Sequence, residues 1–474
     1  MKSVMRMSTR NILIIGGGIT GLSAAFYLQK DIQRLNLPYQ VKLIEASERL
    51  GGKIRTMKRD GYTIEQGPDS LLSRKPAIME LTKELGLQEE MIFNETGQSY
   101  ILADRKLHKM PAGTFMGVPK EERAILETEI FTEEGKKRAL AEPAIEKGEQ
   151  AEEQSLGRFM RRRFGDEAVN RLISPMLSGI HSGDIDEMSL MATYPLFYQL
   201  EQKYGSVMAG LQASFPPAQA GDKPKKAGGM FFSFKEGLET LIHHLEEELV
   251  DGTILLETAV EQIEKKGQSY EAVLNNGEKL EAAAVIIATQ HTAVPAMLSG
   301  YPFAKELEQI PAISTANVVM AFDEAAIENE LEGTGFQVAR EGEIEMTACT
   351  WTNKKWPTTT PEGKVLLRVY VGQPHKQEFM ELTDDELTAS VLEDLQQVMT
   401  IKSDPEFAVV TRWKNARPQY NVGHNELVAR VREQLASELA GVQIAGSSYD
   451  GAGIPDCIAN GKEAAIEALK YVKQ

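Results

Sequence analysis

Six residues near the start of the chain, G-G-G-I-T-G from Gly16 to Gly21, constrain the fold more than any other feature. They stand where a short apolar run, Asn11–Ile15, gives way to a helical pattern over Thr20–Gln29 with Leu22, Ala25, Phe26 and Leu28 on one side. Gly16, Gly18 and Gly21 match G-x-G-x-x-G. The first permits a tight turn, the second lets a pyrophosphate approach the backbone, and the third lets helix and strand pack closely, while the helix N-terminus attracts the anion. A second apolar run, Val41–Glu45, closes on an acid 24 positions after Gly21, where a carboxylate accepts hydrogen bonds from a ribose diol. Asn11–Glu45 therefore reads as one right-handed βαβ unit that binds a dinucleotide, and Glu45 disfavours the 2′-phosphate of NADP there.

The chain is 474 residues long, which suggests two or three domains. With 42% hydrophobic and 26% charged residues it belongs to the soluble globular class. Its longest apolar runs, such as Ala282–Ala288, are strand-sized and fall short of the roughly 20 residues a membrane span needs. Met1–Arg10 is charged but has no apolar core, so an untargeted start and a cytoplasmic location are expected. A net charge of -17 repels a phosphate backbone and argues against nucleic acid as a partner. Cys349 and Cys457 have no C-x-x-C spacing and no neighbouring histidine ligands. They read as buried small hydrophobes, with neither a disulfide framework nor a metal site.

Helical periodicity is expected from Lys75 to about Leu87, a hairpin over Ser99–Leu107, and helices from Pro119 to Leu211. The acidic stretch Ala141–Gln154 reads as a solvated connection and Phe215–Gly229 as a linker. An α/β pattern then resumes, with a helix at Gly237–Val250 and strands at Ile254–Thr258, Tyr270–Leu274 and Ala284–Thr289. Ala316–Phe322, Ile344–Thr350 and Val365–Val371 are β-rich, helices follow at Asp384–Thr400 and Asn425–Leu439, and Val442–Ala445 is a last buried strand before the closing helix. The fold class is α/β: a discontinuous Rossmann-like cofactor domain (10–75, 228–300 and 440–474), a mixed-sheet substrate domain (76–117 and 301–439) and a helical insertion (118–227).

Two further motifs separate flavin from nicotinamide. In E-A-S-E-R-L-G-G-K-I-R-T, Arg49 brings a cation near the pyrophosphate, Gly51 and Gly52 let a second backbone stretch approach the cofactor, and Lys53 lies behind it. This pattern resembles the FAD-dependent amine-oxidase superfamily. In A-G-S-S-Y-D-G-A-G-I-P-D-C-I, Gly451, Gly453 and Pro455 open the last helix without bulk, which suits a flavin whose reduced ring is anionic and favoured by the helix's positive end, and Gly446, Gly453, Ile454 and Pro455 are the cofactor-binding residues expected here. Both ends of the chain are expected to close one FAD site, with the Val260 backbone in reach of the adenine.

G-G-G-I-T-G-L-S-A-A-F-Y, R-L-G-G-K-I, G-P-D-S-L-L-S-R-K, S-P-M-L-S-G-I-H-S-G-D, T-A-C-T-W-T-N-K-K-W-P, R-P-Q-Y-N-V-G-H and G-I-P-D-C-I together resemble the bacterial oxygen-dependent protoporphyrinogen/coproporphyrinogen oxidase family, from about Asn11 to Val472, and most of all its soluble Gram-positive type. The resemblance implies oxidation of coproporphyrinogen III in haem biosynthesis, with protoporphyrinogen IX as a second substrate. Six electrons leave in three flavin turns, and oxygen is reduced to hydrogen peroxide. No dedicated catalytic acid or base is expected, since hydride moves to the cofactor and pyrrole protons leave to solvent.

The family's substrate-binding base falls on Lys75, with Arg74 second, and Gly179–Ile180 is expected to wall the macrocycle opposite the flavin. His181 departs from an aromatic at that place and reads as a buried, backbone-satisfied histidine. Arg158, Arg161, Arg162 and Arg163 read as a solvated helix face in preference to a guide for an anionic tetrapyrrole. Met188, Met191, Met208, Trp351, Trp356 and Trp413 read as core. A downstream haem-pathway enzyme is admitted as a partner, and membrane contact is at most peripheral. The alternatives are another flavin oxidase of this fold, acting on amines or carotenoids, and a flavin-binding redox sensor without turnover.

Overall fold

The run N-I-L-I-I becomes the middle strand of a parallel sheet because its side chains find cover on both faces: Ile12, Leu13, Ile14 and Ile15 are 0% to 4% exposed. The structure is a computed structural model and describes residues 10–94, 97–148, 153–216, 229–328, 331–340 and 344–474. The sheet contains β1 (Arg10–Ile15), β2 (Tyr39–Ile44), β3 (Ile254–Leu255), β4 (Ala284–Ile287) and β5 (Val442–Ile444) in the order β3-β2-β1-β4-β5, all parallel. The order reverses at β1, and ligands of open α/β sheets bind outside the strands' carboxyl ends at such a switch point.

Alternate residues of β1 face two cores. Ile12 and Ile14 pack under α1 (Ile19–Arg34) and α2 (Ile454–Val472). Leu13 and Ile15 point to the other side, against the meander Val260–Lys266, Ser269–Leu274 and Lys279–Ala282 and the helix His424–Glu438. The two helices cross closely because a Cβ on Gly461 would lie 2.3 Å from the Thr20 carbonyl oxygen. That crossing brings the first and last chain segments together.

A seven-stranded sheet forms the second large element, in the order Phe407–Pro418, Ala312–Asp323, Lys364–Val371, Met346–Trp351, Gly335–Val338, Tyr100–Ala103, Lys106–Lys109. Gly335–Val338 runs parallel to Tyr100–Ala103 and the other pairs are antiparallel, so the sheet is mixed as expected. Helix Asp384–Gln396 covers it with Leu387, Val391 and Leu395. Packing draws the division of the chain differently from the sequence at three places. Pro76–Glu84, Pro302–Gln309 and His424–Glu438 share their cores with the parallel sheet.

The helical region has its own core, built on Phe159, Phe164, Leu172, Leu177, Met188 and Met208. Two expectations about it are corrected. The stretch at Ala141–Gln154 is not wholly solvated, for Glu142 is fully buried. Its carboxylate accepts from Arg163 Nε at 2.6 Å and from the Val207 N–H at 2.9 Å, and Arg163 also meets Glu201 at 3.2 Å. The arginine run is therefore no basic face: Arg163 is buried, Arg161 pairs with Asp166 and Asp186, Arg162 pairs with Glu201, and Arg158 alone of the four is exposed. Residues 149–152 of the acidic stretch, 217–228 of the expected linker and the start 1–9 lie outside the described residues. Trp351 and Trp356 are core as expected, and both cysteines are buried and free. Among the described residues no helix is long and apolar enough to cross a membrane.

Candidate functional site

Gly16 turns β1 into α1 at φ +108°, in the left-handed region that favours glycine. A Cβ on Gly21 would lie 1.9 Å from the Gly16 carbonyl oxygen, so the third glycine of the motif sets the helix against the strand. Gly18 is different. It is extended (φ -72°, ψ 176°), it N-caps α1, and a Cβ there would have nothing within 4 Å. Open space therefore stands beside the unsatisfied first N–H groups of α1, as a pyrophosphate requires.

The Gly51–Gly52 loop docks on this turn. The Gly51 N–H donates to the Gly17 carbonyl at 2.8 Å, and Gly18 and Gly51 form a parallel bridge. Glu45 follows β2 directly, with its carboxylate held by the Gly17 N–H at 2.6 Å and by Ser47, whose N–H donates at 2.9 Å and hydroxyl at 2.6 Å. A carboxylate accepts about four hydrogen bonds and three are used, so Oε2 keeps room for one more, from a ribose hydroxyl. Thr258 N–H donates to the Glu45 carbonyl at 2.9 Å, which brings the segment leading to Val260 alongside.

Arg49 spends its guanidinium inside the protein. It donates to the carbonyls of Gly52 at 3.0 Å and Ile54 at 2.6 Å and pairs with Glu239 at 2.9 Å. It braces the glycine loop, where the sequence suggested a cation directed at phosphate. Lys53 reaches across to the far end of the chain, donating to the Ala416 carbonyl at 2.7 Å, with Ser447 Oγ at 3.4 Å. Burial, with Arg417 nearby, lowers its pKa to about 8.

The C-terminal segment enters through Gly446, where a Cβ would lie 3.2 Å from Thr20 Oγ1, and Gly453 N-caps α2 with Ile454 and Pro455 in its first turn. The two glycine-capped helix starts thus flank one space, linked by the Thr20 contact and by Lys53. Lys75 N-caps the helix Pro76–Glu84 and pairs with Asp456 of α2 at 2.7 Å. Arg74 is exposed and lies 5.8 Å over the Phe115 ring, apart from that pair.

Gly179 and Ile180 sit on the helix Ser174–His181, and Ile180 is 46% exposed, uncovered apolar surface of the kind a wall presents. His181 ends the helix buried, its ring 5.6 Å from that of Tyr420. Burial, then Arg417 and His424, lower its pKa to about 4, and its Nδ1 has no partner among the described residues. Gln419 donates to the His181 carbonyl at 3.3 Å, and the Tyr420 hydroxyl donates to the Ser447 carbonyl at 2.8 Å, so this helix end is tied to the loop before α2.

Sequence reasoning missed three charged groups here. Asp69 pairs with Lys355 at 2.9 Å and lies 3.7 Å from Arg368, joining the G-P-D-S and N-K-K-W-P motifs. Burial opposes its ionisation, but the two cations more than offset that and hold the carboxyl well below its usual range. Asp456 was not expected opposite Lys75. Arg417 lies within R-P-Q-Y-N-V-G-H, a motif whose arginine carries no periodic signal.

A cradle of this kind, with two glycine-capped helix starts and a carboxylate at the end of β2, fits a flavin dinucleotide. The family model for flavin containing amine oxidoreductase matches residues 19–469. The chain is 45% identical over 463 residues to a coproporphyrinogen III oxidase of Bacillus subtilis (98% of each chain) and 39% identical over 467 residues to one of Staphylococcus aureus (97% of this chain, 99% of the other). A solved structure of a candidate protoporphyrinogen oxidase from Exiguobacterium sp. 255-15 is 36% identical, covers 99% of this chain and 100% of its own, and superposes with a TM-score of 0.86. Cyclohexylamine oxidase from Brevibacterium oxydans shares the fold, with a TM-score of 0.72 at 16% identity over 98% of this chain and 100% of the other.

Proposed function

This chain belongs to the flavin containing amine oxidoreductases, and from that premise we propose that its flavin is FAD and that it oxidises coproporphyrinogen III to coproporphyrin III in haem biosynthesis, with protoporphyrinogen IX as a second substrate. The observation that carries the reading is full-length likeness to coproporphyrinogen III oxidases at up to 45% identity. Its physical support is the Lys75–Asp456 pair at the start of α2 and the helix of the exposed Ile180, whose last residue His181 lies against Tyr420, itself bonded to Ser447 in the loop before α2.

When bound, FAD supplies two-electron redox chemistry. Converting a porphyrinogen to a porphyrin removes six electrons and six protons, so three rounds are needed, each passing two electrons and two protons to oxygen to give hydrogen peroxide. The protein's own residues bind and orient. Gly16–Gly21, Gly51–Gly52 and Glu45 would fix the dinucleotide, and the first turn of α2 would turn its positive end, with the Ile454 and Asp456 N–H groups beside the donorless Pro455, to negative charge on the ring. Lys75 faces a propionate at the rim, with Asp456 holding the ammonium in place. Gly179 and Ile180 form the opposite wall, and neutral His181 closes it without offering a proton near pH 7.

The reaction takes place in the cytoplasm, and the product passes to a downstream haem-pathway enzyme. Purified holoprotein should consume oxygen with coproporphyrinogen III while porphyrin fluorescence rises, with three oxygens used per porphyrin. A flavin that anaerobic porphyrinogen fails to bleach would favour the sensor alternative.

A further inference from the structure

Arg417 is the charged group of the slot that the foregoing account leaves idle. It is half-buried, and among the described residues its guanidinium has no hydrogen-bond or ion-pair partner. Leaving a buried charge uncompensated is costly, so such a group is normally paired by protein or by ligand. The local backbone is built to aim it. Ile313 pairs with Arg417 and Thr315 with Trp413, so two steps on one strand face four on the other, and Asn415 in the resulting bulge takes φ +47°. Bulges of this kind re-aim side chains beside functional sites.

Its surroundings place it between Lys53 of the glycine loop and His181. The carbonyl of the preceding Ala416 accepts from Lys53, and Gln419 donates both to the Arg417 carbonyl at 3.1 Å and to the His181 carbonyl at 3.3 Å. The groups that feel or modulate its charge are Lys53, His181, Tyr370 and Arg368, none of them a carboxylate. The slot's own acids are taken: Asp69 by Lys355, and Asp456 by Lys75. The unpartnered Nδ1 of His181 lies on the same wall.

We propose that Arg417 anchors a propionate of the porphyrinogen inside the slot and thereby favours the substrate with four carboxylates over the one with two. The inference rests on the reading of the previous subsection. Coproporphyrinogen III carries propionates on all four rings, whereas protoporphyrinogen IX has vinyls on two neighbouring rings and propionates on the other two. Lys75 would take a propionate that both substrates carry and Arg417 one on a ring that bears a vinyl in protoporphyrinogen IX, so only the tetra-acid engages both. Arginine suits the task, since its planar fork takes a carboxylate in two parallel hydrogen bonds.

The test uses FAD-loaded wild type, R417M and R417K with three probes: coproporphyrin III, protoporphyrin IX and coproporphyrin III tetramethyl ester. Dissociation constants come from quenching of protein fluorescence. The expected result is a loss of about tenfold or more for coproporphyrin III in R417M. Protoporphyrin IX should change by less than about threefold and the ester not at all. R417K, which keeps the charge but not the fork, should fall between wild type and R417M, and it decides the matter should R417M fail to fold. FAD affinity and flavin midpoint potential should stay at wild-type values. Unchanged coproporphyrin III binding with a shifted potential or FAD affinity would assign the charge to the flavin and overturn the proposal. Equal losses for both acids would overturn its selectivity. A wild type that binds none of the three porphyrins would remove the porphyrinogen reading itself, a different failure from that of Arg417.

Discussion

Gly18→Ala and Gly21→Ala differ by three positions in one motif, and the structure assigns them opposite consequences. At Gly18 the backbone is extended, open to any residue, and the added methyl meets nothing within 4 Å. The apoprotein should therefore keep its stability or gain about 0.4–1 kcal/mol through the unfolded state. FAD binding should suffer, because the methyl fills the approach to the first N–H groups of α1. Losing two hydrogen bonds to a charged phosphate, at about 1.5–3 kcal/mol each, amounts to at least about 3 kcal/mol. That is a rise of about 100-fold or more in Kd. At Gly21 the methyl would sit 1.9 Å from the Gly16 oxygen, where real contacts stay beyond 3.0 Å. Helix and strand must separate, and overpacking of this sort costs about 1–3 kcal/mol or more even without cofactor. The assay pairs thermal unfolding of flavin-free protein with FAD titration followed by flavin fluorescence. Wild-type FAD affinity in Gly18→Ala, or an apoprotein loss as large as that of Gly21→Ala, would refute the reasoning.

Glu142→Ala strips a buried arginine of its main partner and should cost about 3–5 kcal/mol in urea unfolding, with part recovered by adding Arg163→Met; a loss below about 1 kcal/mol would show that Glu201 suffices. His181 has a folded pKa of about 4 against 6.5 in the free residue. The unfolded chain thus takes up the proton first, and this histidine lowers stability as pH falls from 6.5 towards 4. His181→Phe should remove that contribution, seen as a smaller difference between melting temperatures at pH 7 and pH 5. The Lys75–Asp456 pair is 41% and 35% exposed, so Lys75→Ala should cost under about 1 kcal/mol of stability while weakening coproporphyrin III binding more than FAD binding. Binding equal to wild type would discard its role.

Much of the cofactor half was legible because its signals are local. An apolar run, three glycines at fixed spacing and an acid at the end of the next strand each report a nearby backbone requirement, and Ile12–Ile15, Gly21 and Glu45 stand where those requirements put them. What escaped was long-range or irregular. Glu142 and Arg163 are 21 positions apart, and charged side chains read as solvated until a partner is seen. The strand Phe407–Pro418 lies at a sheet edge with most of its residues only half-covered, so it lacks the alternation that marks a strand. Arg49 found Glu239, 190 positions away, a pairing that no spacing announces. Arg417 depends on a bulge, and a bulge leaves no periodic trace in the residues that form it.

The crossing of the first and last helices at Gly461 has a consequence for synthesis. At about 5–20 residues per second, a ribosome that has released the opening βαβ segment needs on the order of a minute before β5 and α2 emerge. Throughout that interval the nascent chain carries half a cradle, able to meet the flavin but not to enclose it. Messages cut short anywhere ahead of Val442 should accordingly yield colourless protein, however much of the remainder manages to fold.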